Sequence, residues 1–227
     1  MPEHQNHFNL LREAKSRSSK PKAILFGDYD SPHFHPVNEI DKVIISILQD
    51  DLEVSSTEEY GSLTKDDLAK FDLVISYADR WKERTSPNLV HAILSYVSGG
   101  GSLLAIHNGI HMGANFELAQ MLGAKFDKHP EYTTLEFQLI EPRHPITQDM
   151  DSWSMGEEPN QFIFDDLCEK TVFLEYTLDG KKWPAGWAIE YGLGRIVYLA
   201  PGHDLRSFQN SSFQEIILRS SRWVRRV

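Results

Sequence analysis

Apolar residues along the chain fall into short runs with two alternating periods. Lys22–Gly27 (KAILFG) is a brief apolar run closed by an Asp/Ser/Pro-rich stretch, which predicts a buried strand. From Val37 to Leu48 the apolar positions Val37, Ile40, Val43, Ile44, Ile47 and Leu48 recur at helical spacing and predict an amphipathic helix. Leu52–Ser55 reads as a second strand, and Thr64 caps a short helix to Lys70 with acids in its first turn. Phe71–Tyr77 is a third strand, a helix runs from Pro87 to Val97, Gly99–Gly101 break it, and Ser102–Ile106 is a fourth strand. Strand–helix alternation of this kind predicts βαβ units and a mostly parallel sheet.

Beyond residue 130 the rhythm changes. Thr133–Ile140, Thr171–Tyr176, Trp187–Glu190 and Arg195–Leu199 read as strands with little helix between them, and Phe213–Arg225 as a closing helix. The second half therefore adds mixed or antiparallel strands to the same sheet, or a small β excursion beside it. Residues 1–20 lack periodicity and read as a polar tail, leaving 21–227 as one α/β domain.

Charge and composition narrow the function. The formal net charge is −10, and Lys and Arg cluster only at Lys15–Lys22 and Arg219–Arg226, so the basic footprint of a nucleic-acid binder is missing. The single cysteine, Cys168, excludes an intramolecular disulfide and fits a reducing compartment. No apolar run is long enough to cross a bilayer and the N-terminus has no signal-peptide core, so the expected setting is the cytoplasm, with no membrane partner.

Ligands of open α/β sheets bind outside the carboxyl ends of the strands. After the first strand stand Asp28, Tyr29, Asp30, Ser31, His33 and His35; after the third, Asp79, Arg80 and Trp81; after the fourth, His107, Asn108 and His111; after the last, His203 and Asp204. In GGGSLLAIHNGIH the strand–turn–helix pattern resembles a nucleophile elbow, with small residues at Ala105 and Gly109 and His107 at the nucleophile's position. Imidazole serves there as general base or metal ligand, and a helical turn brings His111 to the same side. The alternative is that His107 caps the strand and His111 is a half-exposed helix residue. His203 sits beside Gly202 and Asp204, where a turn histidine bonded to Asp204 is the competing reading.

Glu157 and Glu158 precede Pro159; in extended backbone they face opposite ways, so at most one enters a pocket. His129 before Pro130 is read as functional, His144 before Pro145 as structural. Trp81, Trp183 and Trp187 offer sugar-stacking faces, although packing is the commoner fate of tryptophan. Gly192–Gly194 is a hairpin turn, with no helix after it to cradle a phosphate.

These motifs resemble the trehalose-utilisation (ThuA-like) family of the class I glutamine amidotransferase-like superfamily. The matching blocks are YVSGGGSLLAIHNG, KHPEY, RHPIT, GEEPNQF against the family's Asp-Glu-Pro-Tyr pattern, and WPAGWAIEYGLGRIVYLAPGHD followed by a helix containing Trp223. They span about residues 22–226 in the family's order; the departures are Glu157 for aspartate and Asn160 for tyrosine. The resemblance implies a flavodoxin-like, mostly parallel sheet with helices on both faces. His203 matches the late-strand histidine of amidotransferases, but their elbow cysteine is replaced by His107, so no glutaminase activity is expected.

Three functional readings follow. The first is a sugar-acting isomerase or hydrolase, its carbohydrate substrate (trehalose or a keto-glycoside) implied by the resemblance. His107, His203 and Glu158 are its catalytic candidates, and Asp28, Asp79, Trp81, Asn108 and His129 its substrate-binding ones. The second makes His107, His111 and His203, with His129 and a carboxylate, a zinc-type metal site. The third is a non-catalytic small-molecule-binding module. A homodimer is compatible with each.

Overall fold

The computed structural model describes residues 20–29, 34–79 and 84–227. The predicted tail, together with Asp30, Ser31, His33, Arg80 and Trp81, lies outside them, Lys20 excepted.

Among the described residues, the first half alternates as predicted: β1 (Lys22–Phe26), α1 (Ile40–Leu48), β2 (Glu53–Thr57), α2 (Lys65–Leu68), β3 (Leu73–Ser76), α3 (Pro87–Ser98) and β4 (Ser102–Ile106). Thr64 begins α2 with a reciprocal capping box: its hydroxyl accepts from the Asp67 amide, and the Asp67 carboxylate accepts from the Thr64 amide. Ser86 caps α3 by accepting from the Leu89 amide, and Pro87 supplies the first helical residue.

The second half holds α4 (Phe116–Leu122), β5 (Ala124–Lys128), β6 (Thr133–Leu139), β7 (Trp153–Glu157), β8 (Gln161–Phe164), β9 (Thr171–Leu178), β10 (Lys181–Tyr191), β11 (Gly194–Leu199), α5 (Leu205–Phe208) and α6 (Ser211–Arg225). Both expectations for this half are realised at once. The antiparallel strands β10, β9, β6 and β7 extend the main sheet, while β5 and β8 form a separate two-stranded one. Gly192 and Leu193 turn the β10–β11 hairpin, with Gly192 at φ 60°.

The main sheet runs β2-β1-β3-β4-β11-β10-β9-β6-β7. Its first five strands are parallel neighbours in the flavodoxin-like order 2-1-3-4-5. The chain leaves β1 in one direction to reach β2 and in the other to reach β3, β4 and β11. With right-handed crossovers, that reversal puts α1, α5 and α6 on one face and α2, α3 and α4 on the other. Strands buried on both faces need continuous apolar runs, and β3 and β4 have no exposed position. Trp187 is fully buried, and its indole N–H donates to the Leu122 carbonyl at 2.9 Å.

Candidate functional site

The crevice of such a sheet opens where the strand order reverses, outside the carboxyl ends of β1 and β3. His35 follows β1, Asp79 follows β3, His107 follows β4 and His203 follows β11, so four adjacent strands deliver them to one rim. Glu158 joins them from the link between β7 and β8.

Each position has a local cause. His107 opens a 3₁₀ stretch, His107–Ala114, with φ 46°, a left-handed conformation uncommon for a residue with a Cβ. The Tyr198 hydroxyl donates to its carbonyl at 2.9 Å and holds the turn. Two residues on, a Cβ at Gly109 would lie 2.3 Å from the Ser76 carbonyl oxygen, so only glycine fits. His203 is set by Glu157, whose buried carboxylate accepts from the Gly202 and His203 amides (2.9 and 3.1 Å) and from the Ser207 hydroxyl (2.6 Å). Of the adjacent acids, Glu157 thus lies beneath the loop and Glu158 lines the cavity.

The three imidazoles stand edge-on to one another, with centroids 4.8 Å (His35–His107), 4.9 Å (His35–His203) and 5.6 Å (His107–His203) apart. His35 Nε2 is 3.1 Å from His203 Nδ1, and Glu158 Oε2 is 3.5 Å from both His107 Nε2 and His203 Nδ1. One ligand atom from each of the four residues lies within 4.8 Å of all the others, so they could hold a metal ion. They line a cavity of about 540 Å³ with Phe34, Phe126 and His129.

The remaining ring nitrogens fix the tautomers. His107 Nδ1 is 2.7 Å from the Ala200 carbonyl, which can only accept, so Nδ1 carries a proton; in the neutral ring Nε2 is then bare, and in the imidazolium it donates toward Glu158. His35 Nδ1 lies 3.2 Å from Asp79 Oδ2, a carboxylate acceptor, and its Nε2 likewise faces the cluster. Burial lowers the pKa of His35, against the pull of Asp79. His203 is raised by its hydrogen bond to Glu158, against desolvation. Glu158 is held well below the usual carboxylate range: desolvation opposes this, but the contacts with His107 and His203 outweigh it. In chelator-treated protein, Glu158→Gln is therefore expected to move the His203 titration, followed by imidazole NMR, to lower pH; an unmoved midpoint would refute the pairing.

The other candidates are distributed around this centre. Asp79 is fully buried; Oδ2 also accepts from the His35 amide at 2.8 Å, and Oδ1 lies 3.3 Å from His111 Nδ1. Asp28 supports it, accepting from the Asp79 amide at 3.0 Å and the Tyr60 hydroxyl at 2.7 Å. Both carboxylates hold the site from behind and are not among the residues lining the cavity. Asn108 is buried and donates to the Tyr77 carbonyl. His129 reaches Glu158 Oε1 at 3.1 Å from the rim. His111 lines the cavity but points its Nδ1 at Asp79, outside the four-residue cluster. Neither Trp183 nor Trp187 lines the cavity. His144 stacks on Phe173 (5.5 Å, 16°), as the structural reading expected.

His35 is the residue that sequence reasoning left without a role. The available signal was its place after the first strand, in a His-Phe-His run at 33–35.

A flavodoxin-like parallel core with an imidazole–carboxylate centre at its strand ends, and a histidine at the elbow, defines the class of protein. The chain belongs to the ThuA family, described as trehalose utilisation, whose family model matches residues 26–224. Among solved structures it is similar to a putative ThuA-like protein from Bacteroides uniformis (17% identity, TM-score 0.74, covering 91% of this chain and 93% of that one). It is also similar to a putative ThuA-like protein from Parabacteroides merdae (16%, 0.73, covering 91% and 90%). A third likeness is to a cytoplasmic protein from Salmonella typhimurium LT2 (17%, 0.69, covering 89% and 99%). At these identities the likeness shows the fold. No curated protein matches the sequence.

Proposed function

We propose that this chain is an enzyme of carbohydrate metabolism, acting in the cytoplasm on a trehalose-like sugar or keto-glycoside at the His35–His107–His203–Glu158 centre. The observation that carries the reading is the convergence of three imidazoles and a carboxylate on the floor of a cavity of about 540 Å³, within the size range of small-molecule sites. The carbohydrate class is supported by the family's description as trehalose utilisation.

The lining suits a sugar: Phe34 and Phe126 offer apolar faces to C–H-rich ring surfaces, and Asp127, Lys128 and His129 offer hydroxyl partners. The Glu158–His203 pair exchanges a proton with a substrate hydroxyl, and isomerisation or hydrolysis of a keto-sugar needs such an exchange. The test is to incubate purified protein with trehalose, keto-trehalose and related keto-glycosides and follow each by NMR. Conversion of at least one by wild type and none by His107→Ala is expected; equal conversion by both would remove the centre from the chemistry. No helix among the described residues is long and apolar enough to cross a membrane.

A further inference from the structure

We propose that His35 Nε2, His107 Nε2, His203 Nδ1 and Glu158 Oε2 are the four ligands of a divalent, zinc-type cation. This goes beyond the sugar reading and does not depend on it; with the ion bound, Glu158 Oε2 and His203 Nδ1 are ligands, so direct proton exchange between that pair and a sugar belongs to the metal-free protein. A tetrahedral ion with bonds of about 2.0–2.1 Å keeps its ligand atoms about 3.3–3.4 Å apart. Three of the six separations, 3.1, 3.5 and 3.5 Å, bracket that value. One ligand atom from each residue lies within 4.8 Å of all the others, so the remaining pairs close by small side-chain rotations when an ion binds.

Proton counting points the same way. The Nδ1–H of His35 and of His107 is committed to Asp79 and to the Ala200 carbonyl, so two bare nitrogens and a carboxylate converge on one region. In neutral rings a single hydrogen, on His203 Nδ1, is left to serve three acceptors. A cation satisfies all of them together, with His203 carrying its proton on Nε2. The surroundings are also those of a metal site: ligand histidines characteristically donate their second N–H to a carboxylate or a backbone carbonyl, which fixes the ring and its tautomer. His35 and His107 do one each. Three nitrogens and one oxygen suit zinc and its neighbours better than calcium or magnesium, which favour all-oxygen shells.

The ligand set differs from the His107–His111–His203 set expected from the sequence, and that difference can be tested. Untagged protein, purified without chelator, is expected to carry about one equivalent of zinc-type metal per chain by elemental analysis. Stripped protein titrated with cobalt is expected to show the visible absorption of a four-coordinate ion. His35→Ala and His203→Ala, checked for folding by circular dichroism, are each expected to weaken cobalt binding at least tenfold, whereas His111→Ala keeps it. Asp79→Asn, which removes only support behind His35, is expected to weaken it about 10–100-fold.

Stripped wild type that shows no cobalt spectrum would overturn the proposal. So would a folded His35→Ala that binds as wild type, which is the arm to rely on if His203→Ala does not fold. Sugar conversion by stripped protein that shows no cobalt spectrum would remove the cation and leave the sugar reading standing; a cobalt spectrum without conversion of any sugar would do the reverse.

Discussion

Glu157→Ala is expected to lose about 3–5 kcal/mol of folding stability, read as a lower urea midpoint. Glu157 is 1% exposed, and its carboxylate accepts from the Gly202 and His203 amides, the Ser207 hydroxyl and the Glu158 amide. Removing it leaves these donors short of an acceptor in a region with little water, at about 1–3 kcal/mol for each unsatisfied group. Water entering the vacated volume recovers part of that, which is why the total stays below the sum. Glu157→Gln is expected to fall between the two. Its single amide oxygen still accepts, while its NH2 opposes one of the donors. A midpoint unchanged in Glu157→Ala would mean that the Gly202–His203 turn is held by other means.

The neighbouring Glu158→Gln is expected to lower turnover about 10²–10⁴-fold, the usual contribution of a positioned acid or base, on whichever sugar the wild type converts. Its effect on stability depends on pH. His203 is raised above its ordinary 6.5, so its share of the pairing is complete below that value and is lost as pH rises through the folded pKa. Glu158 is lowered from 4.5, so its share is complete above that value and is lost as pH falls through its folded pKa. In metal-free protein the stability lost by Glu158→Gln is thus greatest between about pH 4.5 and 6.5 and shrinks on the alkaline side. Turnover at wild-type level would end the assignment. A stability loss that does not vary with pH would show that the carboxylate acts by packing alone.

Much of the parallel core is legible because short apolar runs bounded by polar and turn-forming residues leave few alternatives. Ser102–Ile106 has the predicted bounds, and Thr64 caps α2 as expected. Helix α1 begins at Ile40, not Val37, for a tertiary reason. The Val37 amide donates to the Asp28 carbonyl, and its side chain occupies the space that Gly27 leaves free, where a Cβ would lie 2.5 Å away. Strand β10 is longer than its apolar stretch because Pro184 and Gly186 interrupt the pattern at register shifts while pairing continues. Strands β5 (AKFDK) and β7 (WSMGE) are as short as β1 (KAILF) and β4 (SLLAI) but lack their continuous apolar run, so no strand signal stands out from the flanking residues.

The candidate site divides similarly. Strand ends point to His107 and His203, whereas the alternation of adjacent acids says only that at most one of Glu157 and Glu158 enters a pocket; the fold puts Glu158 there and Glu157 beneath the loop. α-Helical spacing groups His111 with His107, but residues 107–114 wind as a 3₁₀ helix of about three residues per turn. Positions four apart then diverge, and the two rings face different partners. The places of Asp28 and Asp79 after strands point to substrate contacts, whereas the structure sets both behind the cavity lining. Nothing in the sequence told a carboxylate that lines a cavity from one that braces a histidine behind it.

The order in which the ribosome delivers these residues has its own consequence. His35 and His203 are 168 positions apart, so the centre closes through some of the least local contacts in the molecule. Such contacts bear a large loop-closure cost and tend to form late in folding. A nascent chain stalled before residue 203 lacks one wall of the cavity, so ligand capture waits until every element that carries the centre has been made.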